Sequence, residues 1–185
     1  MADLPKTATT RRGAIAALGL MPFLFDGVLR EATAAEAKAG GAAYRVLNPA
    51  EVRALEAFGE VLLPGARAAG IAHYVDAQLA RPPADSLLML RYLDVPPPYD
   101  GFYKAGLAAL DRHAGGSFAA LAPDKAADLV RGFSAAPAPD WAGPPSPLFY
   151  FAVRADAVDV VYGTMAGFET LGIPYMAHIE PPTPW

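Results

Sequence analysis

Chemistry at neutral pH needs titratable, nucleophilic or metal-ligating side chains held together, and this chain is poor in them. It has three histidines, His73, His113 and His178, and no cysteine. Without thiols, the chain itself can form no disulfide, zinc–thiolate site, iron–sulfur cluster or covalent c-type haem attachment. His178-Ile179-Glu180 has the residue types of an acid–base pair or half a metal site, since imidazole titrates near neutrality. Standing alone beside a proline-rich end, it reads better as a hydrogen-bonding contact. Asp156 and Asp159 lie three apart on a predicted helix and so share a face. They have the charge to bind a cation, but the simpler expectation is a solvated or partner-facing edge, with Val153, Ala157, Val160 and Val161 turned elsewhere. Met165 and Met176 lack a Cys-x-x-Cys-His companion and read as packing residues. There is no glycine-rich phosphate loop after a strand, no Gly-x-Ser-x-Gly elbow and no His-Glu-x-x-His. The expectation is a chain with no catalytic, cofactor-binding or metal-binding residues of its own.

The elements that would position any site are short helices. Asn48-Pro49-Ala50-Glu51 combines an N-cap, a proline at the first helical position and a capping-box glutamate. Val52, Leu55, Phe58 and Leu62 then recur at helical spacing, until Pro64-Gly65 stops the run. Further helices are predicted from Ile71 to Leu79, after Asp85 through the leucine-rich stretch to Leu93, from Asp100 to Ala114, from Pro123 to Phe133, and from Ser146 to Tyr162. Three consecutive prolines within Val95–Tyr99 demand an extended loop, and residues 134–146 form another around Trp141. With no sustained strand alternation, the fold class expected is all-α: an irregular bundle of about six short helices with long proline-rich loops and an extended C-terminal segment.

Of 185 residues, 54% are hydrophobic, and 15 basic against 19 acidic side chains give a net charge of −4. No basic cluster is present, which argues against nucleic-acid binding. The start has its own character. Lys6, Arg11 and Arg12 precede an uncharged run from Gly13 to Phe25, and small residues then cluster at Ala32, Ala34, Ala35 and Ala37. That is the order of regions in an export signal, with candidate Ala-x-Ala cleavage sites at 32–34 and 35–37. The apolar run is too short for a membrane-spanning helix, which takes about 20 residues. Thr10-Arg11-Arg12 gives it a twin-arginine look, although Ala14 and Ala16 depart from the usual pattern and Asp26 and Arg30 intrude late. The expected organisation is therefore an export signal at 1–37, a linker at 38–43, a helical domain at 44–162 and a partner-binding tail at 163–185. The protein is expected in the periplasm, with membrane association only through its signal or a partner.

The tail carries Phe168, Leu171, Ile173, Tyr175, Met176, Ile179 and Trp185 among glycines and prolines. A solvated tail would lack such residues. Aromatics and methionine are enriched at interfaces, and proline lowers the ordering cost of an extended segment. The residues expected to bind a partner are Tyr162, Gly163, Phe168, Leu171, Pro174, Tyr175, Met176, His178, Glu180, Pro181, Pro182 and Trp185.

Those same residues carry a resemblance. Tyr162-Gly163-Thr164, Gly167-Phe168, Leu171-Gly172-Ile173-Pro174-Tyr175, His178-Ile179-Glu180-Pro181-Pro182 and Trp185 closely resemble the end of the gluconate 2-dehydrogenase subunit 3 family. The resemblance implies a small, cofactor-free subunit that supports the folding and export of a larger one. That partner would be an FAD-binding oxidoreductase of the glucose-methanol-choline type acting on a sugar or sugar acid, and a multihaem c-type cytochrome would often accept its electrons. The Tyr-Met-Ala-His-Ile-Glu-Pro-Pro ending also resembles partners of glucoside 3-dehydrogenases. The competing expectations are a stand-alone periplasmic binding module and an enzyme built on His178 and Glu180.

Overall fold

The computed structural model describes residues 19–133 and 136–172. Among them lie eight α-helices, two short 3-10 turns and one two-stranded antiparallel sheet. The chain is therefore mostly helical but not all-α. The sheet is a hairpin of β1 (Met21–Phe25) and β2 (Val28–Ala32), in register from Met21 opposite Ala32 to Phe25 opposite Val28. Its turn is Asp26-Gly27, both with positive φ, 48° and 79°. That conformation matches the twist of the flanking strands and suits Asp-Gly. In this register Pro22 is a non-hydrogen-bonded position, so the amide hydrogen it lacks would point away from β2. Leu24 shares that outward orientation, and its carbonyl accepts the Ala43 N–H at 2.8 Å.

After the hairpin, α1 (Ala34–Ala39) opens with a capping box. The Thr33 hydroxyl accepts the Glu36 N–H, and the Glu36 carboxylate accepts the Thr33 N–H. The expected signal boundary at residue 37 and the expected linker at 38–43 thus do not coincide with element boundaries. Residues 21–39 are a hairpin and a helix, Gly40 ends that helix, and Ala42 is buried.

The helical part follows its sequence signals closely. Helix α2 (Pro49–Leu62) starts with Asn48 accepting two backbone N–H groups and Glu51 closing the box. α3 (Ile71–Leu79), α5 (Asp100–His113), α6 (Pro123–Arg131) and α7 (Ser146–Tyr162) lie where periodicity predicts them. The leucine-rich stretch gives only a 3-10 turn at Pro83–Asp85 and the single-turn α4 (Met89–Tyr92). A last short helix, α8 (Met165–Thr170), lies inside the segment expected to be extended. α2 is the hub, packed against α3, α5, α6, α7 and the 3-10 turn Phe118–Ala120. At its centre the Phe58 ring stacks on Phe149 with centroids 5.3 Å apart, and Phe118 meets Phe58 edge-on at 5.9 Å. Gly106 on α5 makes room for this stack, since a Cβ there would fall 2.3 Å from the Phe149 ring.

α3 is unusual in burying three polar side chains, His73, Asp76 and Gln78, and all three bond to the preceding chain or the loop that follows. The Asp76 carboxylate accepts the N–H groups of Arg45, Val46 and Leu47 at 2.8–2.9 Å. His73 Nε2 faces the Ala42 carbonyl at 3.1 Å, so it must carry the proton, and Nδ1 accepts from the Tyr44 hydroxyl at 3.0 Å. Gln78 donates to Met21 Sδ and accepts the Leu87 N–H. Burial lowers the His73 pKa, keeping it neutral.

Candidate functional site: an apolar groove at the end of the longest helix

A groove of about 850 Å³ opens where the hairpin, α1, α3, α7 and α8 converge. One wall is the strand approach Gly19–Met21 with Thr33, Ala34 and Ala35. The opposite wall is the end of α7 from Asp159 to Tyr162, continued by Gly163 to Gly167 and Thr170. Tyr74 of α3, with Leu87, Tyr92 and Arg81, completes the lining. The lining is mostly apolar, relieved by hydroxyls, Arg81 and Asp159.

Local sequence explains how the α7–α8 wall is made. The Gly163 N–H donates to the Asp159 carbonyl at 2.9 Å and ends α7. A Cβ on Gly163 would sit 2.4 Å from that carbonyl oxygen, and one on Gly167 would sit 2.4 Å from the Val161 oxygen. The Thr164 hydroxyl then accepts the Gly167 N–H at 3.1 Å and caps α8. Glycine at 163 and 167 thereby lets α8 fold back against the end of α7 and turn Tyr162 toward the groove.

Of the residues expected to bind a partner, Tyr162 and Gly163 line this groove, Phe168 is half-buried on α8, and Leu171 is 48% exposed just beyond it. Pro174, Tyr175, Met176, His178, Glu180, Pro181, Pro182 and Trp185 lie outside the described residues, as do Arg11 and Arg12. The groove residues that sequence reading missed come from the N-terminal side, Leu20, Met21 and Thr33–Ala35, together with Tyr74 and Tyr92. The signals were present in the Asp26-Gly27 turn and the Thr33-x-x-Glu36 box.

The aspartate pair does not form the expected edge. Asp156 is fully buried and Asp159 is exposed on the groove wall. Asp156 accepts the Tyr103 hydroxyl from α5 and the Met89 N–H at 3.3 Å from the start of α4. Burial pushes its carboxyl up to about 7, against the lowering effect of those two donors, with Asp159 adding a smaller upward push. Shielding at the groove wall also raises Asp159. Tyr103 and Tyr74 are pushed above the usual phenol range, first by burial and then by Asp156 nearby. With a donor from α5 and one from the start of α4 fixed on it, Asp156 ties α4, α5 and α7 together rather than facing solvent. His113, for its part, packs against the rings of Phe133 and Trp141. Among the described residues no group of three or more His, Asp or Glu side chains is placed to hold a metal ion, and no helix is long and apolar enough to cross a membrane.

What the geometry offers is therefore a concave apolar surface ending in a segment rich in interface residues. The family model described as gluconate 2-dehydrogenase subunit 3 matches residues 49–178, from the first residue of α2 to the histidine of the closing motif. The chain belongs to the gluconate 2-dehydrogenase subunit 3 family. Membership places it among accessory subunits of dehydrogenase complexes, alongside a larger subunit. No curated relative and no solved structure matches the chain. The family match begins after the hairpin and α1, so the N-terminal wall of the groove is an addition to the matched region.

Proposed function

We propose that this subunit 3 protein is a non-catalytic partner that stabilises and co-exports the large FAD-dependent subunit of a periplasmic sugar or glucoside dehydrogenase. The observation that carries the reading is the apolar groove, walled by Tyr162 and Gly163 and continuous with the segment leading into the closing motif. Leu87 and Tyr92, both exposed, carry the apolar lining out to the surface. A contiguous apolar surface of this kind is the mark of an interaction site. Tyrosine at its rim supplies the amphipathic anchor that interfaces favour.

In this reading the large subunit holds FAD and performs the oxidation of a CH–OH group, and a c-type cytochrome takes the electrons where one is present. The small subunit contributes no reacting group. Its Arg11-Arg12 signal would carry the folded pair out together through the twin-arginine route. The deciding experiment is co-expression of the two chains with affinity capture on this one. Wild type should bring down the flavoprotein with its yellow cofactor. Tyr162→Ala combined with Leu87→Asp should weaken capture by about 2 kcal/mol or more, the size of a hot-spot loss. Dehydrogenase activity in this chain purified alone would overturn the reading.

A further inference from the structure

Residues 19–39 have the composition of the second half of an export signal, yet in the folded protein they form a hairpin and a helix that give side chains to the core. Met21, Phe23, Ala32, Ala34 and Ala37 are all buried, Ala37 completely. Fully buried Gln78 has its amide N–H₂ on Met21 Sδ at 2.9 Å. The backbone at Gly70, the residue before α3, lies directly against the Ala34 carbonyl, and a Cβ there would come within 2.2 Å of its oxygen. Gly70 holds φ +82°, so it is glycine both for space and for conformation. The bonds that an export peptidase would cut, after Ala34 or after Ala37, both lie inside α1, whose first turn is locked by the Thr33–Glu36 box. A peptidase cleft takes extended backbone, and these bonds are helical, with the alanine before each of them buried.

We propose that the alanines at 32, 34, 35 and 37 are not a processing site, and that the exported subunit keeps everything from Gly19 onward. Any cleavage falls upstream of Gly19. The proposal rests on the export reading above for its setting, but its physical basis is the packing of the hairpin and α1. Removal of residues up to 34 or 37 would strip β1 from α3, leave the Gln78 amide without its acceptor and delete one wall of the groove. The same apolar run that resembles a signal core thus ends as strand β1, and the buried alanines that follow it, Ala32, Ala34 and Ala37, serve close packing instead of peptidase recognition.

The test has two arms. In the first, the full chain is co-expressed with its flavoprotein in a host with an export pathway, and the exported form is analysed by intact mass and N-terminal sequencing. The expected first residue is at or before Gly19. An exported species starting at Ala35 or Lys38 would overturn the proposal. Finding the chain only in the cytoplasm would count against the export reading, and the second arm then decides. There the purified full chain is digested with elastase, which cuts after small residues, beside a synthetic peptide spanning residues 28–42. Cleavage between 32 and 38 should be slower in the folded chain by about 100-fold or more, since it requires local opening. Cutting at the peptide's rate would refute the packing argument. Gly70→Val, which forces α1 away from α3, should restore rapid cleavage in that window while circular dichroism shows the remaining helices retained. Continued protection in that variant would also tell against the proposal.

Discussion

Asp156 sits at the junction of three helices with its carboxylate facing a tyrosine hydroxyl and one backbone amide. An ordinary aspartate titrates near 3.9 when unfolded. Here burial raises it to about 7, so the folded state binds a proton more tightly than the unfolded one. The stability this contributes is complete below about pH 4 and is lost as pH rises to about 7, by an amount on the order of a few kcal/mol. Melting curves from pH 4 to 8 should show the midpoint falling over that interval. Asp156→Asn, which keeps an acceptor for Tyr103 and cannot ionise, should flatten the fall. An unchanged pH profile in the variant would show that another group governs it. Gly106 offers a second residue-scale measurement. Gly106→Ala drives a methyl into the Phe149 ring and disturbs its stack on Phe58. Overpacking of this kind costs about 1–3 kcal/mol, and the shift in urea midpoint reads it directly.

At the scale of elements, the helices that carry their own start and stop chemistry were legible. Asn48-Pro49 and Ser146-Pro147 mark the starts of α2 and α7, and Ile71–Leu79 matches its predicted span. The hairpin was not legible as structure, because Gly13–Phe25 has the hydropathy of a signal core and tertiary packing on α3 decides the conformation of its second half. Asp26-Gly27 was the one local clue, and it read as a stray charge. Asp156 was likewise misplaced: a carboxylate three residues from another suggests a solvated edge, and only the approach of Tyr103, 53 positions away in the chain, explains its burial. The hairpin is open to a direct test. Gly27→Val places a β-branched residue at φ 79°, where L side chains are strained by about 1–2 kcal/mol. The expected result is a lower melting temperature with the helical circular dichroism signal preserved. An unchanged melting temperature would mean that the turn is not what sets the register.

For the whole molecule, the consequence of an apolar groove lined in part by exposed Leu87 and Tyr92 is dependence on a partner. A ligand or subunit that binds only the folded state raises apparent stability by mass action. The melting midpoint of this chain should therefore rise when the large subunit is added, and rise further with its concentration. Replacing Arg11 and Arg12 by lysines should hold both chains in the cytoplasm under the proposed co-export. A flavoprotein that still reaches the periplasm in that double variant would argue for separate export.

The carboxylate of Asp76 holds three successive amides, Arg45, Val46 and Leu47, in a stretch that belongs to no helix or strand. Irregular backbone ordinarily trades its amide hydrogens with solvent within the fast end of the exchange range. These three are instead committed to one nearly inaccessible acceptor on α3. In deuterated buffer they should keep their protons about as long as the central amides of α2, a loop with the exchange clock of a helix. Asp76→Asn, with only one oxygen left to share among three donors, should set at least one of those clocks running fast while α2 keeps its own time.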